Sequence, residues 1–385
     1  MNCKTILIVS GCKYPEGDAG SVRIHALAKL FEKCGYKTVV IGKGAVSSLD
    51  SQIYDGIQFY SFRQHESNAI GKYRDAVEFA GKLKKHLDQH GKEYSHILIV
   101  DIPFKAIKNT KCYAQKNSIT LLHDSLEWYS ESEFRFGKMN PMYRHRDKLN
   151  RRIIDQEFDV IAISKYLENH FKEKGCKTIR IPAILTQTEI ITDEKPFTPI
   201  IITYAGLPEK KDKIVEILDS FSSLSDSIKS RLELRIVGIS LNQLKKRFNL
   251  SDNRILRYKQ GIQFYGRIPR QEVQELLRET HYTIFYRDAS ERYAKAGFPT
   301  KVAESTCYGV PVITNLSSDL SLYLVDCQNS IVISDGVDGI REAFEKVCTI
   351  SKEQYVHMSN AAINTFRNSF YFDVYMNPMI GFLEQ

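Results

Sequence analysis

Short apolar segments rich in isoleucine and valine alternate along the chain with longer amphipathic segments. The short runs have the length of buried strands, whereas apolar residues recurring every three or four positions, as in Ser21–Cys34, predict helices. In the first half the predicted strands are Ile6–Ser10, Thr38–Ile41, Ile57–Phe62, Ile97–Val100, Ile119–Leu122, Val160–Ser164 and Thr178–Ile184. Buried strands that alternate with helices form parallel sheets with crossover helices, so the pattern predicts an α/β fold.

The alternation pauses at 186–198, a mostly polar stretch that contains Pro196. It then resumes with predicted strands at Ile200–Ala205, Leu232–Val237, Ile262–Tyr265, Tyr282–Tyr286, Val310–Thr314 and Ser330–Ser334. One sheet of so many strands is unusual, which favours two Rossmann-like domains at 1–190 and 199–365. We expect mostly parallel sheets that face across a cleft, and a terminal helix at 366–385 that returns toward the first domain.

Composition narrows the class of protein. The 385 residues are 43% hydrophobic and 26% charged, a globular profile that excludes bulk disorder, collagen and coiled coils. The net charge is +8, and all of the excess lies in 1–190, which holds 30 basic and 22 acidic residues. Without a recognisable nucleic-acid module, this bias favours a phosphorylated ligand or an anionic membrane surface over nucleic acid. No leader-like or membrane-spanning apolar stretch is visible, so we expect a cytoplasmic protein.

The most informative stretch is AGFPTKVAESTCYGVPVITN at 296–315. Pro299 suits the first turn of a helix that continues over Lys301–Tyr308. A glycine-bearing loop that leads into a helix presents unpaired amides and a positive dipole end, which favour phosphate. Glu304 lies one turn further on, where its carboxylate can accept two ribose hydroxyls. The stretch therefore predicts a nucleotide pocket at a helix start.

The pattern Gly-Phe-Pro-Thr-Lys-x-x-Glu followed by Gly-x-Pro-Val-Ile resembles the nucleotide-sugar segment of family 4 glycosyltransferases, which have the GT-B fold. The similarity is greatest to branches found among bacterial capsule and surface-polysaccharide enzymes. It implies transfer of a sugar from a nucleoside-diphosphate sugar to a hydroxyl of a glycan or lipid-linked acceptor. The resemblance also implies retention of anomeric configuration, and neither a metal nor another cofactor is expected.

Site residues follow from the same resemblance. Those implied for catalysis are His123, Lys211 and Arg287. Those implied for donor binding are Gly17, Gly20, Gly206, Lys210, Gly297, Phe298, Pro299, Thr300, Lys301 and Glu304. Asp124, Glu127 and Trp128 are expected on the acceptor side. Plainer interpretations remain open: a simple turn at 11–21, structural roles for His123 and Trp128, and a surface ion pair between Arg287 and Asp288.

Two positions depart from the family pattern. Leu207 stands where an arginine is common, and Ala296 stands where a glutamate usually contacts the donor sugar. We expect Arg287 to supply the missing charge and the amides of Gly297 and Phe298 to hold the sugar. Two rival functions stay open: a nucleotide-sugar epimerase of the same architecture, and a nucleotide-sugar-binding protein without turnover.

A basic stretch at 138–152 holds six lysines and arginines against one acid, Asp147. Each basic residue near an anionic bilayer contributes about 1 kcal/mol, so the stretch predicts peripheral attachment to a membrane. A solvated helix face explains the same charges equally well.

Overall fold

The computed structural model describes residues 4–17, 19–45, 50–63, 69–190, 195–334 and 336–384. These residues form two compact units. The first comprises Met1–Trp128, Arg144–Thr186 and Tyr371–Gln385, and the second comprises Tyr129–Tyr143 and Gln187–Phe370. The units differ from the predicted domains at 129–143, 187–190 and 366–370, all of which belong to the second unit.

Parallel pairing dominates both sheets. The strands are β1 Thr5–Lys13, β2 Lys37–Gly44, β3 Gln52–Tyr54, β4 Ile57–Arg63, β5 Tyr94–Val100, β6 Thr120–Ser125, β7 Phe158–Ala162, β8 Thr178–Arg180, β9 Ile200–Ala205, β10 Leu232–Val237, β11 Ile262–Gly266, β12 Tyr282–Ile284, β13 Val312–Thr314 and β14 Ser330–Val332. The first unit has the order β3-β4-β2-β1-β5-β6-β7-β8, and the second has β11-β10-β9-β12-β13-β14. Only the pair β3–β4 is antiparallel among the described strands.

Helices connect most successive strands, as the alternating pattern predicts. They are α1 Ala19–Lys33, α2 Ala69–His90, α3 Phe104–Asn117, α4 Pro141–Lys148, α5 Lys165–Glu173, α6 Ile214–Ser222, α7 Asp226–Lys229, α8 Leu241–Phe248, α9 Asp252–Tyr258, α10 Arg270–Glu279, α11 Arg292–Ala296, α12 Thr300–Cys307, α13 Gly336–Thr349, α14 Lys352–Ser369 and α15 Met376–Glu384. No helix in the described ranges combines the length and the apolar character needed to cross a bilayer.

The core of the first unit lies on the central strands. Ile6 and Ile8 of β1 and Leu98 of β5 are fully buried with the apolar face of α1. Met379 and Phe382 of α15 belong to the same core. The chain therefore returns to the first unit after completing the second, as the predicted terminal helix requires.

Every strand that the apolar pattern predicts is present, with small changes of bounds. The strand predicted at Ile119–Leu122 runs instead over Thr120–Ser125, and Val310 precedes its strand. The pattern does not predict β3, because its three residues are all exposed and it pairs at the sheet edge. The described fold is thus α/β with two Rossmann-like sheets.

Candidate functional site

The carboxyl end of β9 forms the centre of the candidate site in the second unit. Gly206 follows this strand, and the ammonium of Lys301 from α12 lies 4.0 Å from the centre of the Tyr204 ring. The same ammonium is 3.5 Å from Oδ1 of Asp212. Asp212 is 5% exposed, and its Oδ2 accepts the Glu209 N–H at 2.9 Å. The loop after β9 and the start of α12 thus place a buried carboxylate beside a largely buried ammonium.

Three cations act on this carboxylate. Burial alone would raise the pKa of Asp212, but the charge of Lys301, the hydrogen bond from the Glu209 N–H and the charges of Arg287 and Lys211 together outweigh it and hold the pKa below its ordinary value. We call Lys211, Arg287 and Lys301, together with Asp212, the cation cluster. One negative charge among three positive ones leaves an excess that suits a multiply charged anion.

Two glycines allow Lys301 and the loops after β9 and β10 to pack closely together. Gly206 has φ +128°, and a Cβ there would lie 3.1 Å from Cε of Lys301. Gly238, which follows β10, has φ +111°, and its Cβ would lie 2.4 Å from the Gly206 carbonyl oxygen. Both dihedrals are in the region that side-chain-bearing residues rarely adopt. Gly206, which is predicted to bind the donor, makes room for the side chain of Lys301.

Arg287 has the least satisfied side chain of the cluster. Its backbone is fixed by Asn315, whose Oδ1 accepts the Arg287 N–H at 3.2 Å and whose Nδ2 donates to the Arg287 carbonyl at 2.6 Å. Its buried Nε has no hydrogen-bond partner in the described part of the chain. Asp288 accepts hydrogen bonds from Ser290 instead. The geometry leaves a guanidinium donor available to a ligand, and the described contacts do not include the alternative ion pair with Asp288.

Glu304 lies one turn into α12 and borders a small hollow with Ala205, Thr283 and Phe285. Burial raises the pKa of its carboxyl, against the opposing charges of Arg270 and Lys301. The structure thus brings Glu304 and Lys301 into one place, as predicted. Pro299 takes the capping position before α12 and not its first turn, which begins at Thr300.

Gly297 and Phe298, which are predicted to contact the sugar, both have contacts within the second unit. The Gly297 N–H donates to the Tyr293 carbonyl at 3.0 Å, so this amide already has a partner within the chain, and its contact to the sugar stays a prediction. The Phe298 ring is buried against Tyr323 and Phe370, with centroids 5.6 and 5.7 Å away. This ring is a core group, and the predicted contact of the Phe298 amide to the sugar stays a prediction.

His123 is inside strand β6 and not after it, which corrects the predicted placement. It pairs with Ile99 and Val160 on the neighbouring strands and is 3% exposed. Burial lowers the pKa of its imidazole to about 4. A neutral ring enclosed by the sheet and by Phe171 fits the structural alternative.

Asp124 holds the first unit together, in contrast to its predicted acceptor-side role. Its two oxygens accept from Arg23 of α1 at 2.9 and 2.8 Å, and both side chains are almost fully buried. Arg23 also donates to the carbonyl oxygens of Pro182 and Ile181. The buried pair with Arg23 accounts for the position of Asp124 without an acceptor sugar, and its acceptor-side role stays a prediction.

Trp128 is likewise enclosed. Its ring is 4% exposed and packs against His170, with centroids 4.4 Å apart, and the guanidinium of Arg151 covers it at 5.1 Å. Its Nε1–H donates to Asp147 at 2.9 Å. These contacts favour the core interpretation over a sugar platform. The neighbouring Glu127 is exposed, and its carbonyl accepts from Asn150.

The remaining predicted residues divide between the units. Gly17 is exposed in the loop after β1 and Gly20 is in the first turn of α1, both in the first unit. Lys210 lies in a 3₁₀ turn of the second unit, but its side chain is outside the described part of the structure. Lys211 lies in the same turn, and its carbonyl accepts from the Tyr293 hydroxyl at 3.5 Å.

Sequence reasoning missed Asp212, the Tyr204 ring, Arg270 and Asn315. The available signal was the position of Asp212 directly after the two predicted lysines, where a carboxylate can orient them. The roles of Arg270 and Asn315 depend on contacts across 34 and 28 positions of sequence, and no local pattern announces them.

Comparisons with known proteins concern the family and the fold of the chain. Residues 187–365 match the family described as Glycosyl transferases group 1. Among solved structures, a sucrose-phosphate synthase from Thermosynechococcus elongatus has a TM-score of 0.78 at 12% identity, covering 99% of this chain and 98% of its own. Anabaena Alr3699/HepE in complex with UDP and glucose has a TM-score of 0.68 at 14% identity, covering 99% of each chain.

WaaG, a glycosyltransferase involved in lipopolysaccharide biosynthesis, has a TM-score of 0.67 at 13% identity, covering 98% of each chain. No curated protein matches the chain. The matched segment contains every member of the cation cluster and Glu304. The family match and the shared fold support a transferase enzyme, with a glycosyl transferases group 1 segment at residues 187–365 of a chain that has the GT-B fold.

Proposed function

We propose that the protein transfers a sugar from a nucleoside-diphosphate sugar to a hydroxyl of a glycan or lipid-linked acceptor in surface polysaccharide synthesis. The observation that carries the proposal is the cation cluster, in which the Nε of Arg287 has no hydrogen-bond partner among the described residues. Two of the similar solved structures are of Alr3699/HepE, in complex with UDP and glucose and with UDP-glucose. A third is of WaaG, a glycosyltransferase involved in lipopolysaccharide biosynthesis.

The proposed chemistry follows from the charges. Lys211, Arg287 and Lys301 neutralise the diphosphate as it leaves, which lowers the barrier electrostatically. Glu304 accepts the ribose hydroxyls. The bond from the anomeric carbon to the diphosphate breaks, a bond to the acceptor oxygen forms on the same face, and the acceptor proton passes to a diphosphate oxygen. Because fixed cations carry the neutralising charge, the proposal requires no metal or other cofactor.

The first experiment measures binding by thermal shift with UDP, GDP, ADP and dTDP. A ligand at about 100 times its Kd stabilises the folded state by ~2.7 kcal/mol. We expect one or more of these to raise the melting temperature, and Lys211→Met to reduce the shift, whereas Lys259→Met, an exposed lysine of the same unit, leaves it unchanged. No shift with any nucleotide at several millimolar contradicts the proposal.

A second experiment separates the ribose contact from the phosphate contact. Glu304→Gln is expected to weaken nucleoside diphosphate binding about tenfold while leaving pyrophosphate binding unchanged, since only the ribose contact is lost. Arg287→Met should weaken both ligands. Equal loss of both ligands in Glu304→Gln removes this residue from its proposed role.

Turnover distinguishes the rival functions. The donor found by thermal shift is incubated with and without candidate acceptors, and released nucleoside diphosphate is measured. Release that depends on acceptor supports a transferase, whereas isomerised donor without acceptor indicates an epimerase. Binding without any product under every acceptor indicates a binding protein.

We also propose peripheral contact with an anionic membrane surface at the inner face of the cell membrane. Within the second unit, Phe136 and Met139 are 73% and 77% exposed, and Met142 is also exposed. Arg135 lies over the Phe136 ring, and the ammonium of Lys138 is 3.5 Å from a carboxylate oxygen of Glu131. Apolar tips with flanking cations suit the headgroup region. Flotation with phosphatidylglycerol vesicles should fall for Phe136→Ser with Met139→Ser, and unchanged flotation refutes the contact.

A further inference from the structure

Two lysines lie side by side at the carboxyl end of the first sheet. Strands β1 and β2 pair in constant register from Thr5 with Lys37 to Val9 with Ile41. The register then shifts by two residues, so that Lys13 pairs with Lys43. With the register unchanged, Lys13 would oppose Ala45. The irregularity therefore brings two cationic side chains onto neighbouring strands, which lie about 4.8 Å apart.

Two glycines make this shift possible. A Cβ at Gly11 would lie 2.0 Å from the carbonyl oxygen of Asp101. A Cβ at Gly42 would lie 2.5 Å from Cβ of Tyr14. Any larger residue at either position would push the extra length of β1 away from its neighbours. The close packing shows that the lysine pair rests on a specifically shaped backbone.

Tyr14 fixes this backbone from within. Its side chain is buried, and its hydroxyl lies 3.0 Å from Nδ1 of His25, whose Nε2 is 3.0 Å from Asp55. The Tyr14 N–H donates to the Lys43 carbonyl at 3.1 Å. The residue after one lysine is thus bonded to the other lysine, so the pair is held as a unit.

The two lysines border an open pocket of about 560 Å³ with Glu16 and Gly44. Like charges on adjacent strands repel each other, and neither ammonium has a hydrogen-bond or ion-pair partner among the described residues. A phosphate group between them would remove the repulsion and accept charge-assisted hydrogen bonds from both. The Glu16 carboxylate can accept hydrogen bonds from hydroxyl groups of a sugar in the same pocket.

We propose that the pocket of Lys13 and Lys43 binds a phosphate group of the acceptor, which makes the acceptor a phosphorylated sugar or a lipid-linked diphosphate. The inference rests on the proposed transfer function and specifies the acceptor of that function. It places the anion subsite of the first unit on two lysines that are not among the site residues implied by the resemblance, although Lys13 lies in the loop 11–21.

The test is a titration of the whole protein with inorganic phosphate, a hexose 6-phosphate, the unphosphorylated hexose, and farnesyl diphosphate in detergent micelles. Lys13→Gln and Lys43→Gln are each expected to weaken binding of the phosphorylated probe about tenfold. Lys84→Gln with Lys116→Gln removes two exposed lysines of the same unit and serves as the matched control. UDP binding is measured in parallel for every variant.

A sugar phosphate acceptor is supported if the unaltered protein binds the hexose phosphate more tightly than the hexose, and if only Lys13→Gln and Lys43→Gln lose this difference. The same loss seen with farnesyl diphosphate supports a lipid-linked diphosphate. Binding of no phosphorylated probe, or an equal loss in the control, overturns the inference while UDP binding leaves the transferase proposal standing. Loss of UDP binding in the lysine variants also overturns it, because the pair would then serve the donor. Absence of UDP binding to the unaltered protein contradicts the transferase proposal itself.

Discussion

Replacing Asp124 with alanine should strongly destabilise the first unit. The substitution leaves the Arg23 guanidinium buried without its carboxylate, held only by the carbonyl oxygens of Pro182 and Ile181. Removing one partner of a buried pair typically costs 3–5 kcal/mol, roughly. With a urea dependence of about 2 kcal/mol/M, the midpoint of unfolding should fall by about 1.5–2.5 M.

The chain has one tryptophan, Trp128, and it belongs to the first unit. Its buried ring becomes exposed when that unit unfolds, so its fluorescence follows this unit alone. Urea titrations of Asp124→Ala are compared with Lys82→Ala, which breaks the partly exposed helix pair with Glu78. The control should change stability by less than about 0.5 kcal/mol.

A double variant isolates the cause. Arg23→Met with Asp124→Leu removes both charges, so its midpoint should lie at least about 0.5 M above that of Asp124→Ala. A midpoint for Asp124→Ala within 0.3 M of the unaltered protein, combined with lost transfer activity, would refute the structural role. The predicted acceptor-side role would then be restored.

Three further outcomes are expected. The folded state keeps the imidazole of His123 neutral, so unfolding takes up a proton below pH 6.5, and the free energy of unfolding falls as the pH is lowered from 6.5 toward about 4. His123→Leu should reduce this dependence of the free energy of unfolding on pH by about 1.4 kcal/mol per pH unit. Urea titrations followed by Trp128 fluorescence measure it. Gly238→Ala should lower the calorimetric transition of the second unit by several degrees, because its Cβ would meet the Gly206 carbonyl. Lys301→Met should weaken nucleoside diphosphate binding about tenfold by calorimetric titration, whereas exposed Lys295→Met should have no effect.

The strand plan is readable from the sequence because burial on both faces of a parallel sheet leaves continuous apolar runs. Segments such as Ile200–Ala205 therefore predict their own structure. The edge strand β3 has exposed residues and depends on pairing with β4, so no run marks it. Residues 129–143 likewise belong to the second unit because they pack with distant parts of the chain, which no local pattern predicts.

Site prediction succeeded where residues are close in sequence or in a recognisable order. Lys301 and Glu304 are one turn apart on α12, so their shared location follows from helix geometry. The buried pair of Asp124 with Arg23 could not be predicted, because the two residues are 101 positions apart and no local pattern distinguishes a paired carboxylate from an unpaired one. The same limit hides the pairing of Lys13 with Lys43, which depends on a register shift.

The discontinuous first unit has a consequence for biosynthesis. Residues 371–385, which include Met379 and Phe382, emerge from the ribosome after every residue of the second unit. The unit whose chain begins earlier therefore completes its core later. Until then the part of α1 that packs against the terminal segment is uncovered, and nascent chains arrested before position 371 expose a surface that chaperones recognise.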